Sequence, residues 1–137
     1  MAQARRRFAT APVARLATVG PAGRPHLVPI TFALDGDVIY TIVDAKPKTT
    51  TDLRRLRNIR RDPRVTVLAD HYEADWVRLW WARADGLASL LGEPADRARP
   101  LELLAARYPQ YRVTPPAGPV IAIAVERWTG WAASDRA

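Results

Sequence analysis

The chain contains no cysteine. Disulfides, thiolate metal sites and cysteine nucleophiles are therefore excluded. Histidine is almost as scarce: His26 and His71 are the only two, too few for a histidine-rich metal centre. No apolar run approaches the roughly 18 residues that a membrane-spanning helix needs. The basic stretch at residues 1–7 is not followed by the apolar core of a signal peptide, so a cytoplasmic protein with no membrane partner is expected. Glycine is missing throughout residues 45–85, which rules out a glycine-rich phosphate loop there. Lysine is nearly absent too. Of the 21 basic residues only Lys46 and Lys48 are lysine, flanking Pro47, and the rest are arginine.

What is present suits one globular domain over residues 1–137. A length of 137 residues accommodates a single core, and a hydrophobic content of 48% argues against disorder. The formal net charge of +7 favours anionic partners. Residues 13–19 alternate as a strand does and end in the turn cluster Gly20-Pro21-Ala22-Gly23. Residues 24–34 predict a second strand, Asp35-Gly36 a tight hairpin turn, and residues 37–43 a third strand. Pro25 and Pro29 lack amide donors, which places them at a sheet edge or a bulge. The spacing of Leu53, Leu56 and Ile59 predicts a helix over 51–61, capped by Thr50 or Thr51 and closed by Asp62-Pro63. Strands are expected at 64–70, 76–91, 119–127 and 128–133. A second helix is expected over 93–108, with Pro100 at a helix start. Strands that follow one another with two inserted helices describe a small barrel, not a parallel α/β winding.

Three constellations carry possible chemistry. Lys46-Pro47-Lys48-Thr49-Thr50-Thr51 stands where a strand meets a helix. Two ammonium groups, three hydroxyls and a helix N-terminus suit a phosphate, although a capped helix on a polar loop has the same composition. In Trp76-Val77-Arg78-Leu79-Trp80-Trp81, strand alternation would place Trp76, Arg78 and Trp80 on one face and Val77, Leu79 and Trp81 on the other. Large apolar groups on both faces call for a core on one side and a subunit interface or a stacked ring on the other. His26 lies on the second predicted strand, close to Pro29. The five arginines among residues 54–61 could face nucleic acid or simply solvent. No RNP-type aromatics and no helix-turn-helix accompany them, so no nucleic-acid partner is expected.

Taken together, ARLATVGPAGRPHLVPITFAL, LRNIRRDPRVTVL and DHYEADWVRLWWARADGLA resemble the pyridoxamine 5′-phosphate oxidase-like family, and within it the actinobacterial branch that uses coenzyme F420. The resemblance spans nearly the whole chain. It implies a mainly β fold, a split β-barrel of six to seven strands with two helices, assembled as a homodimer with its sites at the subunit interface. An F420-dependent oxidoreductase acting on a small-molecule substrate is implied, with FMN the alternative cofactor. The cofactor's phosphate would then lie against Asp44, Lys46, Lys48 and Thr49, with Arg55 a further candidate. Its ring would lie along His26, Val28 and Pro29 and near Ile42 and Val43, with Asp70 completing the site.

Overall fold

A computed structural model of the protein describes residues 2–43 and 53–134. The chain opens with helix α1 (Ala2–Thr10), followed by strands β1 (Ala14–Val19), β2 (Pro25–Ile30), β3 (Ala33–Asp35) and β4 (Val38–Ile42). Helix α2 (Arg54–Arg61) and strands β5 (Arg64–His71) and β6 (Trp80–Leu91) come next. Helices α3 (Pro94–Arg107) and α4 (Gln110–Val113) then lead into the final strand, β7 (Val120–Ala132). The seven strands form one sheet in the order β2-β1-β5-β6-β7-β4-β3, and every pairing is antiparallel.

That order dictates the shape. Strands β2 and β3 are the two edges of the sheet, yet only Thr31 and Phe32 separate them in sequence. Three Cα steps of about 3.8 Å hold residues 30 and 33 within about 11 Å. Seven strands laid flat at a spacing of about 4.8 Å would put the edges some 29 Å apart. The sheet must therefore curl until its edges almost meet, which produces the split barrel. Side chains satisfy the backbone at this seam. The Thr41 hydroxyl donates to the Thr31 carbonyl at 2.7 Å. The Tyr108 hydroxyl accepts from the Phe32 amide at 3.2 Å and donates to the Pro12 carbonyl at 2.9 Å. The Arg107 guanidinium donates to the Phe32 carbonyl at 2.8 Å and also to the Ala11 carbonyl, and it stacks 4.7 Å from the Phe32 ring centroid.

The concave side carries the core. Leu16, Ile39, Val67, Ala82, Ala84, Ile121 and Ile123 point inward from five strands and are fully shielded or nearly so. Phe8 of α1 plugs the barrel, with its ring 4.7 Å from Phe32 and 5.2 Å from Trp128. A smaller cluster of Ala33, Ile42, Leu104 and Val120 lies under α3. Gly36, at φ 59°, occupies the first central position of the β3–β4 hairpin, where a positive φ is required. The register between β6 and β7 slips between Asp85 and Gly86. A Cβ at Gly86 would stand 2.3 Å from the Ala124 carbonyl oxygen, so the bulge demands glycine.

Several sequence-based expectations need correction. Among the described residues there are four helices, where two were expected. Helix α1 goes unannounced because its only buried contacts are Ala4 and Phe8 on an otherwise Arg- and Ala-rich turn. The strand expected at 24–34 breaks at Thr31-Phe32, because the chain there crosses from one sheet edge to the other. Trp76 to Arg78 form a 3-10 turn, with the Asp75 carboxylate capping the Val77 amide at 3.4 Å, so Trp76 does not share a strand face with Trp80. The strands expected at 119–127 and 128–133 are one strand, β7, continuous past the bulge. Pro100 lies inside α3, whose first turn carries Pro94 instead. The capping residues proposed for α2, Thr50 and Thr51, lie outside the described residues. Pro25 and Pro29 do sit on an edge strand, β2, as their missing amides require.

Arg107→Ala should lower stability by about 2–3 kcal/mol, because it strands the Ala11 carbonyl and leaves the Phe32 carbonyl only the Tyr108 hydroxyl at 3.1 Å. Urea denaturation of the two proteins measures this, and an unchanged midpoint would mean that the seam holds without Arg107.

Candidate functional site

Two elements frame an open groove at the β2 edge. The first is the β1–β2 turn, in which the Gly20 amide donates to the Arg24 carbonyl at 2.7 Å and the Arg24 amide to the Pro21 carbonyl at 3.2 Å. The second is α2. Its inward face buries Leu56, Asn58 and Ile59, while Arg54, Arg57 and Arg61 recur at helical spacing along the side that meets the groove. The groove measures about 430 Å³ and is lined by Arg24, His26, Arg54, Arg57, Asn58 and Arg61 together with the Gly20, Pro21 and Pro25 turn residues. No acidic side chain is among these described lining residues. Cations crowded on one helix face repel one another, so an anion entering here would relieve a repulsion built into the fold.

His26 stands at the centre of this wall. It pairs across the strands with Thr18. Its Nδ1 is shielded from solvent and has no hydrogen-bond partner among the described residues. Burial lowers its pKa from the ordinary 6.5, and the guanidiniums of Arg54 and Arg55 push in the same direction. The ring is therefore neutral at pH 7. A shielded N–H without an acceptor is costlier than a shielded lone pair, so the proton belongs on Nε2, leaving that nitrogen as a donor. Arg55 is half-buried, and burial lowers its pKa too. The groove floor is tied to the sheet: Asn58 Nδ2 donates to Thr18 Oγ1 at 3.0 Å, and Arg61 donates to the Val19 carbonyl at 3.1 Å and to Asn58 Oδ1 at 3.3 Å.

The residues singled out from the sequence fall into three groups. His26 and Arg55 come together, joined by Arg54. Val28 packs on the core from β2, Pro29 is exposed on the opposite face, Val43 packs on the main core, and Ile42 is buried in the smaller cluster. Asp70 stands apart from the groove, ion-paired with Arg15 at 3.6 Å. Asp44, Lys46, Lys48 and Thr49 lie outside the described residues. Sequence reasoning did not single out Arg24, Arg57, Asn58 or Arg61 individually. The one local signal was an asparagine in an arginine-rich helix, a residue of poor helix propensity with no apolar reason to be there.

The convex face sets exposed aromatic groups among charged ones. Trp81 on β6 pairs with Trp131 on β7, Arg83 lies 5.4 Å over the Trp81 ring, and a shallow hollow of about 380 Å³ collects Leu68, Asp70, Tyr72, Trp81 and Arg83. Leu27 is 66% exposed and Trp76 75% exposed. Between β5 and β6, the Glu73 carboxylate is held by His71 and by Arg78, at 3.4 Å, and its pKa falls chiefly through the His71 hydrogen bond. Among the described residues no cluster of three or more metal-ligating side chains occurs, and no helix is long and apolar enough to cross a membrane.

Comparison with known proteins adds to this geometry. The sequence pattern of the family described as pyridoxamine 5′-phosphate oxidase matches residues 1–132. No curated protein matches the chain. Solved structures do. A conserved hypothetical protein of Mycobacterium tuberculosis aligns with a TM-score of 0.78 at 23% identity, over 96% of this chain and 84% of that one. An FAD-binding protein of Mesorhizobium loti aligns with a TM-score of 0.74 at 17% identity, over 94% and 91%. The heme storage protein HutZ of Vibrio cholerae aligns with a TM-score of 0.71 at 14% identity, over 96% and 90%. Each shares the split-barrel fold.

The His26 ring should titrate with a midpoint below 6.5, which the imidazole proton resonances will report. The unfolded chain then binds the proton more readily, so His26's contribution to stability is complete above pH 6.5 and is lost as pH falls from there through the folded value. His26→Gln should flatten that part of the stability profile, and inorganic phosphate in the groove should raise the midpoint.

Proposed function

The chain belongs to the pyridoxamine 5′-phosphate oxidase family, and from that membership we propose that it is a cytoplasmic oxidoreductase whose cofactor is a phosphorylated flavin or deazaflavin, with coenzyme F420 preferred. The observation that carries this reading is the groove at the edge of β2, where Arg24, Arg54, Arg57 and Arg61 gather around His26 with no acidic side chain among the described lining residues. The residues present fit such a group. The groove supplies guanidiniums, and the unpaired imidazole supplies a hydrogen-bonding edge. The phosphate would be held by Lys46, Lys48 and Thr49 beside Asp44, with Arg54 and Arg55 in the first turn of α2. The ring would lie along His26, Val28 and Pro29, near Ile42 and Val43, which lead straight into the lysine segment.

The bound cofactor would supply hydride chemistry to a small organic substrate. The protein's own share is binding, orientation and exclusion of water. Charge-assisted contacts of about 1.5–3 kcal/mol each would hold the anionic group, and the Nε2–H of His26 would offer a fixed donor to a ring carbonyl or nitrogen. A homodimer belongs to the same reading. The convex face around Trp81, Trp131 and the exposed Trp76 would otherwise leave a large apolar surface in water. Asp70, apart from the groove within one chain, would enter a site when that face meets a second copy. FMN as cofactor is the second reading, favoured by the likeness to the FAD-binding protein of Mesorhizobium loti.

Tryptophan fluorescence titration separates the two cofactors. F420 should bind more tightly than FMN, and the reverse order would establish the second reading. The double change Lys46→Ala and Lys48→Ala should weaken binding about tenfold to a hundredfold, by less at high salt, with an unchanged melting temperature. If affinity stays at the wild-type level, the phosphate lies elsewhere and Arg55 becomes the first candidate. Light scattering should give a dimer, and Trp81→Asp should break it.

A further inference from the structure

Asn58 is 1% exposed, in the middle of an eight-residue helix otherwise split between arginines and aliphatic side chains. Asparagine is a weak helix former, and a buried amide is costly unless its groups are paired. Leucine would extend the Leu56–Ile59 face at no such cost. The amide is nevertheless paired in two directions. Its nitrogen donates to Thr18 Oγ1 at 3.0 Å, on β1, and its oxygen accepts from Arg61 at 3.3 Å, on the groove wall. Thr18, itself 1% exposed, is the cross-strand neighbour of His26. One side chain thus joins the sheet beneath the imidazole to a guanidinium that lines the groove beside it. Arg61 has a second tie, to the Val19 carbonyl at 3.1 Å, so its head is held by two acceptors in place of swinging freely in water.

We propose that Asn58 is a positioning residue for the groove: through Thr18 and Arg61 it fixes the distance between α2 and β1, and with it the placement of Arg61 and His26 along a bound anionic cofactor. The inference rests on the proposed cofactor site, but its readouts do not require the cofactor. A merely structural amide could be replaced, together with its partner, by apolar groups of similar shape at little cost. A positioning amide could not.

The deciding variant is the double change Asn58→Leu and Thr18→Val. We expect a melting temperature close to wild type, a loss of about tenfold in affinity for inorganic pyrophosphate and for FMN, and a displaced His26 imidazole resonance whose pH midpoint moves towards 6.5. Thr18→Ser, which keeps a hydroxyl for the amide, should retain affinity and resonance. Wild-type pyrophosphate affinity in the double variant would overturn the proposal, as would an unmoved His26 resonance or a wild type that binds no pyrophosphate. Should the double variant fail to fold, Thr18→Val alone reads the same resonance, and an unmoved signal there is equally fatal. A wild type that ignores FMN and F420 yet shows the pyrophosphate loss in the double variant sinks only the cofactor reading.

Discussion

Thr31 and Phe32 carry the chain from one edge of the sheet to the other, and the short reach of two residues obliges the other strands to curve around them. The curl creates a concave side deep enough for Phe8, Phe32 and the aliphatic rows of β1, β4, β5, β6 and β7. It also concentrates unpaired backbone at the crossing, which Thr41, Tyr108 and Arg107 satisfy from neighbouring strands and from α3. Helix α3 is accordingly a brace for the seam as much as a lid for the smaller core. With the seam closed, β2 is held as an edge, and an edge strand is what leaves His26 and the β1–β2 turn open to α2.

The groove then follows from charge as much as from shape. Helix α2 presents one aliphatic side to the barrel and one guanidinium side outward. Loss of water lowers the pKa of both His26 and Arg55, and at His26 the nearness of the Arg54 and Arg55 charges is a second cause. An anion reverses the second cause directly. The site is therefore strained electrostatically in a way that a phosphate or carboxylate would relax, and the Thr18–Asn58–Arg61 chain holds one of its cations, Arg61, in place.

Much of this was legible in the sequence where the signal is local. The alternation of β1, the glycine turn, the helix before Asp62-Pro63 and the edge prolines are written in short stretches of side chains. Several features are not. Residues 24–34 read as one strand because the break at Thr31 arises from closure of the whole sheet, not from any turn residue. Trp76 read as part of a strand because alternation cannot distinguish a strand from a 3-10 turn capped by Asp75. Helix α1 was invisible because its worth lies in one contact, Phe8 against Phe32 and Trp128, made far along the chain. In the site, His26 and Arg55 were within reach of sequence reasoning. Arg24 was not, since only the pairing of β1 with β2 brings its turn opposite α2.

The prolines at the rim of the sheet have a consequence for how copies of this chain can meet. Alternate residues of β2 direct their backbone groups away from β1, and with Pro25 and Pro29 in that set only Leu27 retains an outward amide. The opposite rim, β3, is three residues long. Neither rim can serve as a template for strand-by-strand growth, which needs an unbroken row of donors. Runaway polymerisation through hydrogen-bonded ladders is thus blocked at both ends by backbone chemistry alone. Growth through hydrogen-bonded edges is therefore closed to the folded chain, and any contact between copies is left to its faces.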